Sequence, residues 1–269
     1  MVSIIIPTYN ESTSITAVLE RLKLVSGEFE VVVADGSSTD RTAEIVRSLA
    51  AVCPYPLRLV QSVRNRAIQC NSAAQQSGGD VFLFLHADIL VRPETVEAVE
   101  RSLRDATVIG GNFQIVFEGD TFVERFFTWC YRVRRPFGIY YGDSGVFVRR
   151  YVFEQLGGFK PLPIMDDYEF IRRLERIGRT VCVNPPMLVS DRRWRVQGLF
   201  RTLSSWVWIQ TLYSLGVPAE RLARWYAPVR TLHDFKQIYK ALAPEDAQSG
   251  RIERDDRSRG DSSGNHAHH

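Results

Sequence analysis

Acidic residues at the ends of apolar runs are the chemically suggestive feature of this 269-residue chain. Asp35 closes Val33-Ala34 and opens Gly36-Ser37-Ser38-Thr39-Asp40; Asp88 ends His86-Ala87-Asp88; Asp166 and Asp167 stand together in Met165-Asp166-Asp167-Tyr168-Glu169-Phe170. A carboxylate at Asp35 can accept hydrogen bonds from a nucleobase imide or a ribose hydroxyl, with Gly36 letting the backbone turn sharply beside a ligand. Asp88 offers the hard oxygen that a magnesium or manganese ion (Mg2+ or Mn2+) prefers when it bridges two phosphates. Adjacent carboxylates such as Asp166 and Asp167 raise one another's proton affinity, whereas a helix amino terminus lowers it, so the net sign stays open. Helix capping is the plain alternative for Asp40, Asp166 and Asp167; Asp35 lies too far upstream of the helix expected from Ala43 to cap it.

The elements that must position these residues follow from the apolar pattern. Ile4 to Ile6, Val31 to Ala34, Leu57 to Val60 and Val81 to Leu85 are near-continuously apolar, as strands buried on both faces are. Between them, Ile15, Val18, Leu19 and Leu22 share a helical face, as do Ala43, Val46 and Ala50. Arg66 to Ser77 is a weaker helix, and Pro93 is expected in the first turn of another carrying Val96, Val99 and Leu103 inward. This alternation predicts an α/β fold with an open, Rossmann-like sheet, whose ligands bind beyond the carboxyl ends of the strands. Further on, strands are expected at Val108 to Val116, Val146 to Arg149 and Val181 to Val183, and helices at Phe122 to Val133, Asp166 to Ile177 and Leu199 to Leu215.

Residues 1–243 are therefore read as a single domain, with a nucleotide-binding half (1–105) and an acceptor-binding half (106–243) ending in a helical region. Residues 244–269 are too polar to pack and are expected to form a disordered tail. Three of the five histidines lie at its end, where a solvated tail or an added tag is a better reading than a metal site. A formal net charge of +3 is too small to argue for a nucleic-acid partner. The four cysteines are scattered, without a paired spacing, which suits reduced thiols. The opening apolar run to Pro7 is far too short for a secretory core, and no stretch reaches the roughly 18 apolar residues of a spanning helix. The expected localisation is cytoplasmic, at most peripheral to a membrane.

Ser3-Ile4-Ile5-Ile6-Pro7-Thr8-Tyr9-Asn10-Glu11, followed by Ala34-Asp35-Gly36-Ser37-Ser38-Thr39-Asp40 and an Asp-x-Asp-like strand end, resembles the family 2 glycosyltransferases of GT-A fold, a mixed sheet flanked by helices. Phe-Leu-His-Ala-Asp in place of the usual Asp-x-Asp is similar to a bacterial stand-alone subgroup. The resemblance runs from Val2 to about Tyr226. It implies that Pro7, Tyr9 and Glu11 lie by the nucleotide, that Asp35 contacts the base, and that Asp88 binds the metal. His86 stands where the family usually has aspartate, so one carboxylate does a task usually shared by two. His86 can orient Asp88 or touch the sugar; Ala87 lies between them at the donor site.

The same resemblance places Arg66, in Arg64-Asn65-Arg66, on the donor; an arginine fork suits phosphate or sugar, and solvated charge is the alternative, more so for Arg64. Asp166 and Asp167 match the family's acceptor-side Glu-Asp pair, which makes Asp167 the base that takes the acceptor hydroxyl's proton in an inverting transfer. Asp143, in Tyr141-Gly142-Asp143, is implied to line the acceptor pocket, with an ordinary turn aspartate as the alternative. Ser190-Asp191-Arg192-Arg193-Trp194 matches a basic segment that closes over the diphosphate; Arg193 or Arg192 would stabilise the leaving group, and Trp194 would face the acceptor. The aromatic carboxyl-terminal region (Trp206, Trp208, Tyr213, Trp225) is read first as core packing and second as a membrane or lipid contact. The implied partners are a nucleotide-sugar donor, such as a UDP-sugar, and a small-molecule, lipid or glycan acceptor. Two other classes compete: a nucleotidyltransferase, whose glycine-rich basic signature is missing near the amino terminus, and a non-catalytic nucleotide-sugar-binding protein, which His86 keeps open.

Overall fold

A computed structural model describes residues 1–117, 121–189 and 199–225. Its centre is a seven-stranded sheet in the order β3-β2-β1-β4-β6-β5-β7. The strands are β1 (Val2–Thr8), β2 (Phe29–Asp35), β3 (Leu57–Gln61), β4 (Val81–Phe84), β5 (Val108–Phe117), β6 (Val146–Arg149) and β7 (Arg179–Val189). β1 to β4 are parallel; β6 runs antiparallel to both β4 and β5, and β5 pairs with β7 in parallel. The sheet is thus mixed, as expected. The helices are α1 (Ile15–Leu22), α2 (Thr42–Ala50), α3 (Arg66–Gln76), α4 (Thr95–Ser102), α5 (Phe122–Arg134), α6 (Arg150–Gln155), α7 (Asp166–Ile177), α8 (Leu199–Ser214) and α9 (Ala219–Ala223).

Alternation along the central strands explains the layering. Ile4, Ile6, Val31 and Val33 enter one apolar cluster with Val18, Leu19 and Val99, while Ile5, Val32 and Ala34 enter another with Ala67, Phe153 and Phe170. Both faces of β1 and β2 are covered by helices, so no polar residue is needed on either. Ser3 and Glu30 are the exceptions away from the strand ends (Thr8 and Asp35), and they are bonded together, the Ser3 hydroxyl donating to Glu30 at 2.7 Å.

Several expectations are corrected in detail. β3 has alternating exposure, not a continuous apolar face, because it forms an edge of the sheet. Pro93 lies ahead of the cap of α4, which is Glu94, rather than in its first turn. Gly36 does not take the left-handed conformation; Ser37 does, with φ 62°. β7 extends well beyond Val181 to Val183 and includes Pro185 and Pro186, which an edge strand tolerates because its outer side pairs with no full strand, only bridging Leu90 at Leu188. All four cysteines are free, as anticipated. Among the described residues no helix is long and apolar enough to cross a membrane.

Candidate active site

Parallel register brings the carboxyl ends of β1, β2 and β4 to one edge: Thr8 pairs with Asp35, and Ile5 with Phe84. The antiparallel β6 begins there too, since Val146 pairs with Phe84, so the Tyr141–Gly145 turn lies beside His86. α3 and α7 then close over this edge. Asn65 caps α3 by accepting from the Ile68 amide at 3.1 Å, which puts Arg66 in the first turn. Met165, in a left-handed conformation (φ 63°), caps α7 and turns Asp166 and Asp167 into its first turn.

On the β1–β2 side the expected nucleotide residues lock two loops together. The Asn10 amide donates to Ser38, and Asn10 Oδ1 accepts from the Thr39 amide at 2.8 Å. The Glu11 amide donates to Thr42 Oγ1 at 2.8 Å, and Asp40 accepts from the amides of Ser12 and Thr42 at 3.1 and 2.9 Å. Asp40, one residue ahead of the Arg41 cap, therefore holds the first amide of α2 and crosses to the β1 loop as well. Asp35, 1% exposed, accepts from both the amide and the hydroxyl of Ser38. It shapes this loop although it lies upstream of the helix cap, through a local bond to a residue only three further on. Gln69, not singled out in the sequence, clamps both strand ends by donating to the carbonyls of Thr8 and Ala34 at 2.7 and 2.8 Å. A side chain at Gly36 would run into it, so that glycine's close neighbour is Gln69. Arg64 is not simply solvated: its guanidinium stands 4.1 Å from the centre of the Tyr9 ring.

The densest chemistry lies between α3, α7 and the Gly142 turn. Arg66 grips Asp166 with a two-pronged fork (Nε to Oδ2 3.0 Å, Nη2 to Oδ1 2.7 Å) and reaches Asp167 Oδ1 at 3.1 Å. Its Nη1 lies 2.8 Å from His86 Nε2. Arginine has no lone pair to accept with, so Nε2 must accept and the His86 proton resides on Nδ1. Burial and the Arg66 charge both hold His86 below its usual value, which agrees with a neutral ring. The backbone amides of Gly142 and Tyr168 donate to the two oxygens of Asp167, each at 2.8 Å. Burial would push this carboxyl up, but Arg66 and those amides outweigh it and hold Asp167 below the ordinary carboxylate range. At Gly142 a β-carbon would stand 2.6 Å from Arg66 Nη1, 2.9 Å from His86 Nε2 and 3.0 Å from Asp167 Oδ2. Only glycine fits there. The Gly-Asp step was visible in the sequence, yet attention there falls naturally on the aspartate.

Asp143 behaves differently from Asp167. Tyr131 on α5 donates to its Oδ2 at 2.9 Å, while its Oδ1 is sealed from solvent and has no hydrogen-bond partner among the described residues. Burial, with the charges of Asp167 and Asp88 nearby, lifts the Asp143 carboxyl to about 7. Tyr131, Tyr141, Tyr168 and Tyr213 form a row of ring contacts with centroids 5.9 to 6.2 Å apart, flanking this carboxylate. Pro7 lines the same cleft as Arg66, His86 and Asp167. Ala87 is buried beneath it, and Asp88 is half-buried after β4. Arg193 and Trp194, with Arg192, lie outside the described residues, as does the tail from residue 244.

Among the described residues no group of three or more His, Cys, Asp or Glu side chains forms a metal cage. The donors at this edge are nevertheless hard oxygens: Asp88, and the unpartnered Oδ1 of Asp143, whose proton affinity Asp88 raises. That set fits a divalent ion that takes its remaining ligands from a diphosphate and water.

The sequence model of "Glycosyl transferase family 2" matches residues 3–177. The chain belongs to that family. Its relatives include a dolichol-phosphate mannosyltransferase of Pyrococcus furiosus, 30% identical over 114 residues, which cover 40% of this chain and 31% of that protein. An uncharacterized glycosyltransferase of Haemophilus influenzae is 28% identical over 189 residues, covering 65% of this chain and 62% of the other. The chain thus spans 31% and 62% of the length of these two curated relatives. A mannosyltransferase from Pyrobaculum calidifontis, solved in complex with GDP-Man and Mn2+, superposes with a TM-score of 0.59 at 26% identity, over 70% of this chain and 56% of that one. S. aureus TarS 1-349 gives a TM-score of 0.60 at 20% identity, over 70% and 60% of the two chains. The GT-A architecture expected from the family 2 motifs is the one observed.

Proposed function

We propose that this family 2 member is an inverting glycosyltransferase that moves a sugar from a nucleoside-diphosphate donor to an acceptor hydroxyl. The observation that carries this reading is the placing of two carboxylates about His86: Asp88, two residues along the same strand end and suited to a metal-bound diphosphate, and Asp167, held ionised in the cleft that His86 lines. The P. calidifontis neighbour was solved with a nucleotide sugar and Mn2+, which supports a donor of this class and a divalent ion. Asp88 and the donor's own phosphates would hold that ion, which would offset charge developing on the leaving diphosphate. The loop locked by Asn10, Ser38, Asp40 and Thr42, with the Arg64–Tyr9 stack above it, is the assigned seat of the nucleoside.

In the transfer, the acceptor oxygen attacks the anomeric carbon from the face opposite the diphosphate. A carbon–oxygen bond forms, the bond to the diphosphate breaks, and the acceptor's proton passes to a carboxylate. Asp167 is the assigned base. Arg66 fixes Asp166 and Asp167 and sets the His86 tautomer, so it acts as a positioning residue for both sides of the cleft. A second reading gives the proton to Asp143, favoured by its unpartnered Oδ1 and a carboxyl lifted to about 7.

One pair of measurements separates these readings. Asp167→Asn should lower kcat by roughly 10²- to 10⁴-fold with donor affinity retained. The wild-type rate should stay flat between pH 5 and 8, because a carboxyl held low is ionised throughout. A rate that instead rises through about pH 7 and flattens in Asp143→Asn assigns the proton to Asp143. Release of sugar 1-phosphate, by cleavage of the donor's P–O–P bridge in place of its anomeric C–O bond, would overturn both in favour of nucleotidyl transfer. Donor binding with no turnover would leave a binding protein.

A further inference from the structure

α5 carries a feature that sugar transfer does not use. Phe122, Phe126, Trp129 and Val133 are 81%, 40%, 57% and 39% exposed, yet all four are large and apolar. At 3.6 residues per turn they project within about 60° of one another, forming a single stripe along the helix. Phe122 stacks on Phe126 and Phe126 leans on Trp129, with centroids 6.3 and 6.1 Å apart. Arg125 and Arg132 are exposed on one flank of the stripe. Glu124, the only acidic residue of α5, is turned inward, where it completes the capping box with Thr121. The opposite face packs through Phe127 and Tyr131 against Phe117 and Trp206. Where Arg134 ends the helix, the surface continues into a shallow hollow shared with Val207 of α8 and Leu215 just beyond it, both exposed.

We propose that the stripe Phe122–Phe126–Trp129–Val133 docks α5 on the headgroup layer of an anionic lipid bilayer. A cation-flanked aromatic stripe on an otherwise anchored helix is the composition that lies in a membrane interface, its rings at headgroup depth and its arginines on lipid phosphates. A second copy of the chain suits it less well. Twofold pairing would bring each stripe and its Arg125 and Arg132 against the same residues, with no acid on the helix surface to meet them. The placement has a consequence that rests on the proposed function. Tyr131, on the far side of the same helix, holds Asp143 at 2.9 Å, so docking seats the acceptor side of the cleft within a helix's width of the bilayer. A lipid-borne acceptor would be met there.

The test is sedimentation of the full chain with sucrose-loaded vesicles, either phosphatidylcholine alone or with 30 mol% phosphatidylglycerol (roughly the anionic content that polybasic surfaces sense). Wild type should bind the anionic vesicles and Phe126→Gln/Trp129→Gln should lose binding at least roughly tenfold. Arg125→Gln/Arg132→Gln should lose the preference for phosphatidylglycerol. These side chains are exposed, so folding is checked by unchanged thermal unfolding and by unchanged affinity for a soluble nucleotide sugar. Wild-type protein that stays in the supernatant, or an aromatic double variant that binds as wild type does, overturns the proposal. So does a wild-type dimer that Phe126→Gln/Trp129→Gln converts to monomer, because the stripe then belongs to a second copy. Donor affinity is measured without lipid, so failure of the glycosyltransferase reading and failure of the docking surface give separate results.

Discussion

The two halves of the sheet edge are built by opposite means. On the β1–β2 side, loops are tied by backbone amides to short side chains, and the carboxylates of Asp35 and Asp40 are consumed in those ties. On the α5–α7 side, long side chains carry the structure: the Arg66 fork, a row of tyrosines, and a carboxylate with one oxygen unmatched. Backbone ties fix a loop whatever the surroundings, which suits the nucleoside seat of the proposed function. Side-chain networks can be re-pitched by substitution, which suits an acceptor that differs from one family member to the next.

The comparison can be broken most severely at its seam. Gly142→Ala forces a β-carbon to within 3 Å of Arg66, His86 and Asp167 at once, so transfer should fall by about a hundredfold or more while donor affinity changes little. A donor-affinity loss as large as the rate loss would mean that the two halves are not separable. Arg66→Lys keeps the charge but removes the fork. It should cost roughly tenfold or more in kcat, and in ¹⁵N spectra the His86 ring should lose its single fixed tautomer. Unaltered His86 nitrogen shifts would remove Arg66 from its positioning role.

On the other side, Asp40→Ala frees the amides of Ser12 and Thr42 and should cost about 1–2 kcal/mol in denaturant unfolding, with the kinetic effect falling on donor KM and not on kcat. A purely kcat effect would contradict the division of labour. The last effect, on stability alone, concerns Asp143. Its folded carboxyl is raised from 3.8 to about 7, so its stabilising contribution is complete below pH 3.8 and is lost as pH rises through 7. Asp143→Asn, which mimics the neutral acid, should unfold with wild type at pH 4 and a few degrees above it at pH 8, measured without metal or donor. Parallel curves across that range would show that Asp143 is not buried as described.

The legibility of the sequence follows the same divide. β1, β2 and β4 were plain because strands covered on both faces cannot afford polar residues. α6 escaped because Arg150–Gln155 is too short to display a helical period, and β7 was legible only at Val181 to Val183 because Pro185 and Pro186 argue against any strand except an edge. Asp88 and Asp167 were marked by the elements they end or begin. The fork of Arg66 on Asp166 joins residues 100 apart in the chain, and nothing local to either announces the other. Gln69 is one helical turn from Arg66 and was hidden for the same reason: its partners are backbone carbonyls, which leave no trace in residue type.

The prolines of β7 also bear on how the protein behaves in a crowded solution. An edge strand of eleven residues is long enough to template a strand from another molecule, and runaway sheet growth is the hazard such a rim carries. Pro185 and Pro186 interrupt its row of amide donors in mid-strand, so an incoming chain could not form an unbroken ladder across it. The irregularity that hid the carboxyl-terminal part of β7 from the sequence is thus also a guard against aggregation, and replacing both prolines should show up first as lost solubility at high concentration.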